Sequence, residues 1–170
     1  TFRCLNPSCP ALLKERLIYF AGRGQMDIEN LGDSLIDRLV DTGLVESFAD
    51  IYKLQESQLA GLQRMGDKSA ANVIRAIAES RRRPLWRLVA ALGIPHIGGQ
   101  FAQDLAAHFG SLEKIMNAEL DQLIPVLAAS ERNLQKAKDK EEKAVRAKSV
   151  YRYFRSEKNV AVINELLAAG

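Results

Sequence analysis

The chain has 170 residues, 47% hydrophobic and 26% charged, with a formal net charge of +3. That is room for one compact domain or two small ones, with enough apolar side chains for a core, and it excludes a disordered chain. No apolar run approaches the ~20 residues that cross a bilayer, Thr1-Phe2-Arg3-Cys4 has no signal-peptide pattern, and two cysteines are too few for a disulfide framework and suit a reducing cytosol.

In chain order the elements read as helix almost throughout, because Ala, Leu, Glu, Lys, Arg and Gln fill the periodic stretches. Lys14 to Phe20 is a short helix. Asp33 to Thr42 puts Leu35, Ile36, Leu39 and Val40 on one face, with Gly43 as its stop. Ala49 to Leu54 and Glu56 to Leu62 are short helices. Lys68 to Arg82 aligns Val73, Ile74 and Ile77. Pro84 breaks that helix and opens the next, Leu85 to Leu92. Gly99 to Phe109, Leu112 to Met116 and Leu120 to Leu127 follow. The charged stretch Glu131 to Arg155 reads as one long helix, and Asn159 to Ala168 closes the chain.

The charge is unevenly placed. Residues 1–63 carry six Lys/Arg against nine Asp/Glu, net −3. Residues 64–87 carry seven against two, and residues 131–158 ten against five, net +5 each. Each basic stretch is either a solvated helix face or an electrostatic footprint for a polyanion, and charge alone does not decide.

A repeat decides more. Leu31-Gly32-Asp33-Ser34-Leu35-Ile36, Met65-Gly66-Asp67-Lys68-Ser69-Ala70 and Ile97-Gly98-Gly99-Gln100-Phe101-Ala102 each place an apolar residue and a glycine ahead of a helix. Their glycines are 34 and 32 residues apart. The pattern predicts helix, tight hairpin, helix, with glycine supplying a positive φ in the turn. Backbone N–H groups left free at the second helix, with the positive end of its dipole, suit a phosphate oxygen. Such contacts read no base edges. Arg64 and Lys68 beside the second turn add salt-sensitive attraction. One such hairpin is explained by helix capping alone; three at near-equal spacing favour phosphate binding. A second motif, Arg3-Cys4-Leu5-Asn6-Pro7-Ser8-Cys9-Pro10, is a Cys-x4-Cys knuckle. It is either half of a tetrahedral zinc site or two free thiols, since no other cysteine exists and His96 and His108 lie far off.

Taken in order, the knuckle, the stretch Met26-Asp27-Ile28-Glu29-Asn30-Leu31-Gly32, the segments Met65 to Ala71, Leu92 to Gly98 and His108-Phe109-Gly110-Ser111, and the ending Asn159 to Gly170 resemble the C-terminal half of bacterial NAD-dependent DNA ligases. The resemblance covers nearly the whole chain. It implies an all-α fold of tandem helix-hairpin-helix motifs, four pseudo-repeats with the fourth degenerate, after a short zinc-knuckle remnant. Residues 1–24 would be the second half of a Cys4 zinc finger and a connecting helix. Residues 25–170 would be the helix-hairpin-helix domain, with a charged helical insertion near 128–145. Cys4 and Cys9 would be zinc ligands, a half site whose other two ligands are missing. The domain would grip duplex DNA, preferentially nicked in the parent enzyme, at hairpin residues Gly32, Arg64, Gly66, Lys68, Gly98 and Gly99. By their own sequence, Arg81, Arg82 and Arg83 are either phosphate contacts between two hairpins or a solvated helix end, and His96 either touches phosphate or is an ordinary turn residue.

The family's Lys-x-Asp-Gly adenylation motif is absent from these residues. The resemblance therefore implies no catalytic residue, no NAD bound by this chain, and no activity without the adenylation and oligonucleotide-binding domains of the parent. It also implies a cytoplasmic location at the bacterial nucleoid and no membrane. Family members usually have glycine where this chain has Arg64, so a second hairpin that is less tight or less close to phosphate is expected. No glycine lies between Gly110 and Gly170, so no phosphate-binding turn is expected in the fourth repeat. Trp86, Phe101, Phe109 and Phe154 are expected to pack between helices, and His108 to be structural. Two other classes compete: the DNA-binding module of a helix-hairpin-helix nuclease or repair subunit, and a helical interaction domain in which the glycines only cap helices.

Overall fold

The computed structural model describes residues 9–130 and 140–170. Among them are eleven helices and no strand: α1 Pro10–Ala21, α2 Asp33–Asp41, α3 Phe48–Ile51, α4 Glu56–Ala60, α5 Asp67–Ser80, α6 Leu85–Ala91, α7 Gly99–Phe109, α8 Leu112–Met116, α9 Leu120–Ser130, α10 Lys140–Tyr153 and α11 Glu157–Ala168. The chain forms two compact units. One comprises the residues up to Arg83 with Val162–Gly170; the other is Pro84–Ala161.

In the first unit α1 packs on α2 and α4 on α5. Pro10 opens α1 at a position where its missing N–H costs nothing, so the helix starts four residues before the apolar periodicity does. Leu17, Phe20, Ile36, Leu39, Leu59 and Ile163 are fully buried in the core. Phe20 stacks on Phe48 with centroids 4.8 Å apart and meets the edge of Tyr52. Ser80, the one buried polar residue among those described, donates to the Ile77 carbonyl at 2.6 Å and hydrogen-bonds the Tyr52 hydroxyl at 3.0 Å.

In the second unit α6 packs on α7, α7 on α8 and α9, and α9 on α10. Ala102, Leu105, Ile115, Leu123, Leu127 and Val150 are buried. The two units use the same parts. The short helix α4 starts with a reciprocal cap, in which the Gln55 N–H donates to the Gln58 side chain at 2.9 Å. Before α9 the Glu119 N–H donates to the Gln122 side chain at the same 2.9 Å. Buried Leu59 and Leu123 hold matching places just after these caps. Ala70, Val73 and Ile77 of α5 match Ala147 and Val150 of α10 and Phe154 just beyond its end, all buried at the same spacing.

That register locates the fourth repeat. From Leu59 to Ala70 is 11 positions and from Leu123 to Ala147 is 24, so 13 extra residues lie between α9 and α10. Where α4 gives way to a turn, α9 continues as helix through Pro125 to Ser130. Counted back from Ala147, the place of Gly66 falls on Lys143, inside α10. On both sides the backbone is helical where the other repeats turn. The expected single helix over Glu131–Arg155 lies partly outside the described residues; its described part ends at Tyr153.

Burial pushes the Tyr52 phenol above its ordinary range. The hydrogen bond to Asp41 raises the Lys14 ammonium, and that to Glu165 raises Lys53. In each case the folded state holds its proton longer than the unfolded chain. The associated stability is complete below about pH 10 and is lost as pH climbs through the raised values. Thermal melts are expected to hold steady from neutral pH to about 9 and to fall above about 10, with a smaller fall in Tyr52→Phe; an equal fall in the variant would remove Tyr52 from the explanation.

Candidate nucleic-acid interface

The three glycine repeats build one local structure three times. Each begins with a turn in which the N–H of the residue before the glycine donates to a carbonyl three residues back: Leu31 to Ile28 at 3.4 Å, Met65 to Leu62 at 3.3 Å, Ile97 to Ile94 at 3.1 Å. The third residue of each turn has a left-handed backbone: Asn30 at φ 65°, Arg64 at 63°, His96 at 66°. A turn with positive φ only at its third residue is type II, and Pro95 occupies the second position such turns favour. The apolar residue then inserts into the core, Leu31 and Ile97 being buried.

The glycine itself does not carry the positive φ that the sequence predicts for it. Gly32, Gly66 and Gly98 have φ of −91°, −86° and −92°, extended values open to any residue. The conformational demand falls two residues earlier, where the chain reverses. Each glycine is instead the N-cap of the following helix. Its carbonyl accepts the first helical bond, from Ile36, Ala70 and Ala102 at 3.0, 3.0 and 2.9 Å. None of the three helices has a side-chain cap. The N–H groups ahead of that first bond are therefore left to an outside acceptor. A Cβ built on Gly32, Gly66, Gly98 or Gly99 meets nothing within 4 Å. Nothing inside the protein requires these residues to lack a side chain. The vacant space lies beside the free amides.

Arg64 takes the left-handed position as readily as Asn30 and His96, and its turn closes as tightly. The second turn is thus no looser than the other two, with an L-residue in this region at a cost of about 1–2 kcal/mol.

The basic residues separate into engaged and unengaged groups. Arg83 donates through Nε to the Met26 carbonyl at 3.2 Å and through Nη2 to the Asp27 carbonyl at 2.9 Å, with the Asp27 carboxylate 3.4 Å away. It fastens the end of α5 to the first hairpin loop. Arg81 donates to the Tyr52 carbonyl at 3.2 Å and lies over the Tyr52 ring. Arg82, Arg64 and Lys68 are exposed and form no ion pair among the described residues. In the second unit Arg146 lies over Phe101, 4.6 Å from its centroid. Arg155 donates to the Met116 carbonyl at 2.8 Å and lies over Tyr151. His96 and His108 are exposed, and Phe154 is buried.

The first unit brings hairpins 1 and 2 to one cleft of about 390 Å³, lined by Asn30, Gly32, Ser34, Arg38, Ser69 and Asn72 among others. Of these cleft residues Gly32 belongs to the sequence-derived set, whereas Asn30, Ser34, Arg38, Ser69 and Asn72 do not. Asn30 was recognisable, because asparagine is the residue after glycine most at home in left-handed backbone. Cys4 lies outside the described residues. Cys9 is half-buried and caps α1, its carbonyl accepting from Leu13 at 3.1 Å. No group of three or more His, Cys, Asp or Glu that could hold a metal occurs among the described residues. No helix among them is long and apolar enough to cross a membrane.

Repeated turn and N-cap glycine together define a helix-hairpin-helix protein. Residues 26–79 match the family described as a SAM-like helix-hairpin-helix tandem, and residues 87–163 match the helix-hairpin-helix motif family. The chain is 44% identical to a DNA ligase of Methylacidiphilum infernorum and 43% identical to one of Koribacter versatilis, each over 168 residues. It is 48% identical to DNA ligase 2 of Deinococcus deserti over 120 residues. These alignments take in 99%, 99% and 71% of this chain, and 22%, 23% and 18% of the respective relatives. The chain belongs with the helix-hairpin-helix portion of bacterial DNA ligases and spans about a fifth of the length of these relatives.

Arg83→Ala is expected to lower stability by about 1–3 kcal/mol, the range for lost hydrogen bonds to a charged group. Arg82→Ala is expected to leave stability within about 0.5 kcal/mol, as surface changes do. Urea unfolding of the two variants reads the difference, and equal midpoints would contradict the division between engaged and unengaged arginines.

Proposed function

We propose that this chain is the sequence-independent duplex-binding part of an NAD-dependent DNA ligase that seals nicks in replication and repair. One observation supports it above the rest: a helix start with free amides, no side-chain cap and open space at the glycine Cβ recurs three times. N–H donors at the positive end of a helix dipole suit a phosphate oxygen. A side chain on the glycine would stand where that oxygen approaches. Contacts of this kind ignore base identity, so any duplex serves.

Chemistry on the nick is assigned to the rest of the protein. No Lys-x-Asp-Gly occurs in these residues, and the chain alone is expected neither to bind NAD nor to ligate. Preference for a nicked duplex belongs, in this proposal, to the whole enzyme, acting at the bacterial nucleoid. Cys4 and Cys9 are proposed as two of four zinc thiolates. Their spacing suits half of a tetrahedral site, and in this proposal the other two ligands are supplied from outside these residues.

Fluorescence anisotropy of the chain against nicked and intact duplexes, across a salt series and with two unrelated sequences, tests the proposal. Affinity is expected to fall linearly with salt on logarithmic axes, by about 0.9 per phosphate neutralised, and alike for both sequences. Gly98→Val is expected to weaken binding by about tenfold, the loss of one charged hydrogen bond. Binding that ignores salt, or no binding at low salt, would overturn it.

A further inference from the structure

The two hairpins of the first unit share a backbone and differ in charge. Around hairpin 1, Glu29, Asp33, Asp37 and Asp41 are all exposed. Two cations of this unit are engaged inside the protein, Lys14 with carboxylates and Arg38, which keeps its charge, with a backbone carbonyl. Lys14 pairs with Asp41 at 2.8 Å and Asp37 at 3.8 Å, and the Arg38 guanidinium donates to the Gln63 carbonyl. The loop of hairpin 1 also receives Arg83, on the Met26 and Asp27 carbonyls.

Hairpin 2 is the reverse. Arg64 stands at its tip, Lys68 in the first turn of α5 and Arg75 further along, all exposed and without an ion pair among the described residues. Asp67 is the one acid in its first turn. Exposed charges interact over about 8–10 Å in ordinary salt. At a rise of about 1.5 Å per residue, Asp33 and Asp37 both lie within that distance of the α2 amides. A phosphate approaching hairpin 1 meets the same amides as at hairpin 2, but against carboxylates instead of toward cations. Arg64 adds a second sign. It holds left-handed backbone at a position where glycine is free of strain, and its exposed side chain makes no hydrogen bond or ion pair among the described residues.

We propose that the phosphate grip of the first unit is one-sided. Hairpin 2 holds a phosphate through its amides and the Arg64 guanidinium, while hairpin 1 is a structural counterpart that holds none. The proposal rests on the duplex-binding function above and divides its labour.

Valine substitutions test it cleanly. Gly32 and Gly66 both have extended φ and open space at Cβ, so Gly32→Val and Gly66→Val suit the free fold equally, and melting curves check this. Binding of the full chain to a nicked duplex is then measured by anisotropy across salt. Gly66→Val is expected to weaken affinity by about tenfold or more, and Gly32→Val by less than about twofold. Arg64→Gly is expected to melt no lower than the wild type, to bind more weakly, and to flatten the salt slope by about 0.9. Equal losses from the two valines, or an unchanged slope in Arg64→Gly, would overturn the proposal while leaving duplex binding intact. A wild-type chain that does not bind would overturn both.

Discussion

The structure depends on a single backbone event, a left-handed residue two positions ahead of an N-cap glycine. Asn30, Arg64 and His96 each reverse the chain by this step. The apolar residue that follows drops toward the core, and the glycine launches a helix whose fourth residue, Ile36, Ala70 or Ala102, closes the first helical bond and is itself buried. Packing is satisfied on the inner side of the turn. On the outer side the same geometry leaves amides without acceptors and a glycine without a neighbour. Stability and binding capacity thus come from opposite faces of one turn, which is why the glycine can be dispensable to the fold and still be the residue that matters.

The fourth helix pair shows the two roles apart. α9 and α10 keep the glutamine cap on the backbone N–H ahead of the helix, the buried leucine and the Ala147, Val150, Phe154 spacing of their counterparts α4 and α5. They do so with 13 extra residues between them and helix on both flanks where the other pairs turn. Pairing of the helices therefore rests on the apolar faces and the cap rather than on the hairpin. Charge then separates the hairpins that remain. Hairpin 1 is surrounded by carboxylates, hairpin 2 by free cations, and hairpin 3 presents His96, Gly98 and Gly99 with no charged side chain in the first turn of α7.

Much of the helical order was legible in the sequence, because strong periodicity and glycine stops mark it locally. α7 and α8 begin and end on the expected residues, Gly99–Phe109 and Leu112–Met116. The start of α1 was not, since the helix is opened by Pro10 and has no fully buried residue before Leu17. The repeat of glycines was plain, but its meaning was displaced: sequence shows that a turn needs a permissive residue, and glycine attracts that assignment even when Asn30, Arg64 or His96 carries it. The fates of Arg81 and Arg83 were hidden for a different reason. Their partners are the carbonyls of Tyr52, Met26 and Asp27, and a backbone acceptor leaves no mark in the side-chain sequence. Only the fold, by bringing residues 26–27 to the end of α5, shows that one arginine of the run is free and two are engaged.

Central to all of this is that the open amides at the starts of α5 and α7 are what meet the duplex. Backbone amide shifts in an isotope-labelled sample, followed during titration with a short duplex, test it most directly. The expected result is that the amides of Asp67, Lys68 and Ser69, and of Gly99, Gln100 and Phe101, move first and furthest. If those amides stay in place while shifts gather along the basic face of α10, the hairpins are scaffolding and the duplex lies elsewhere.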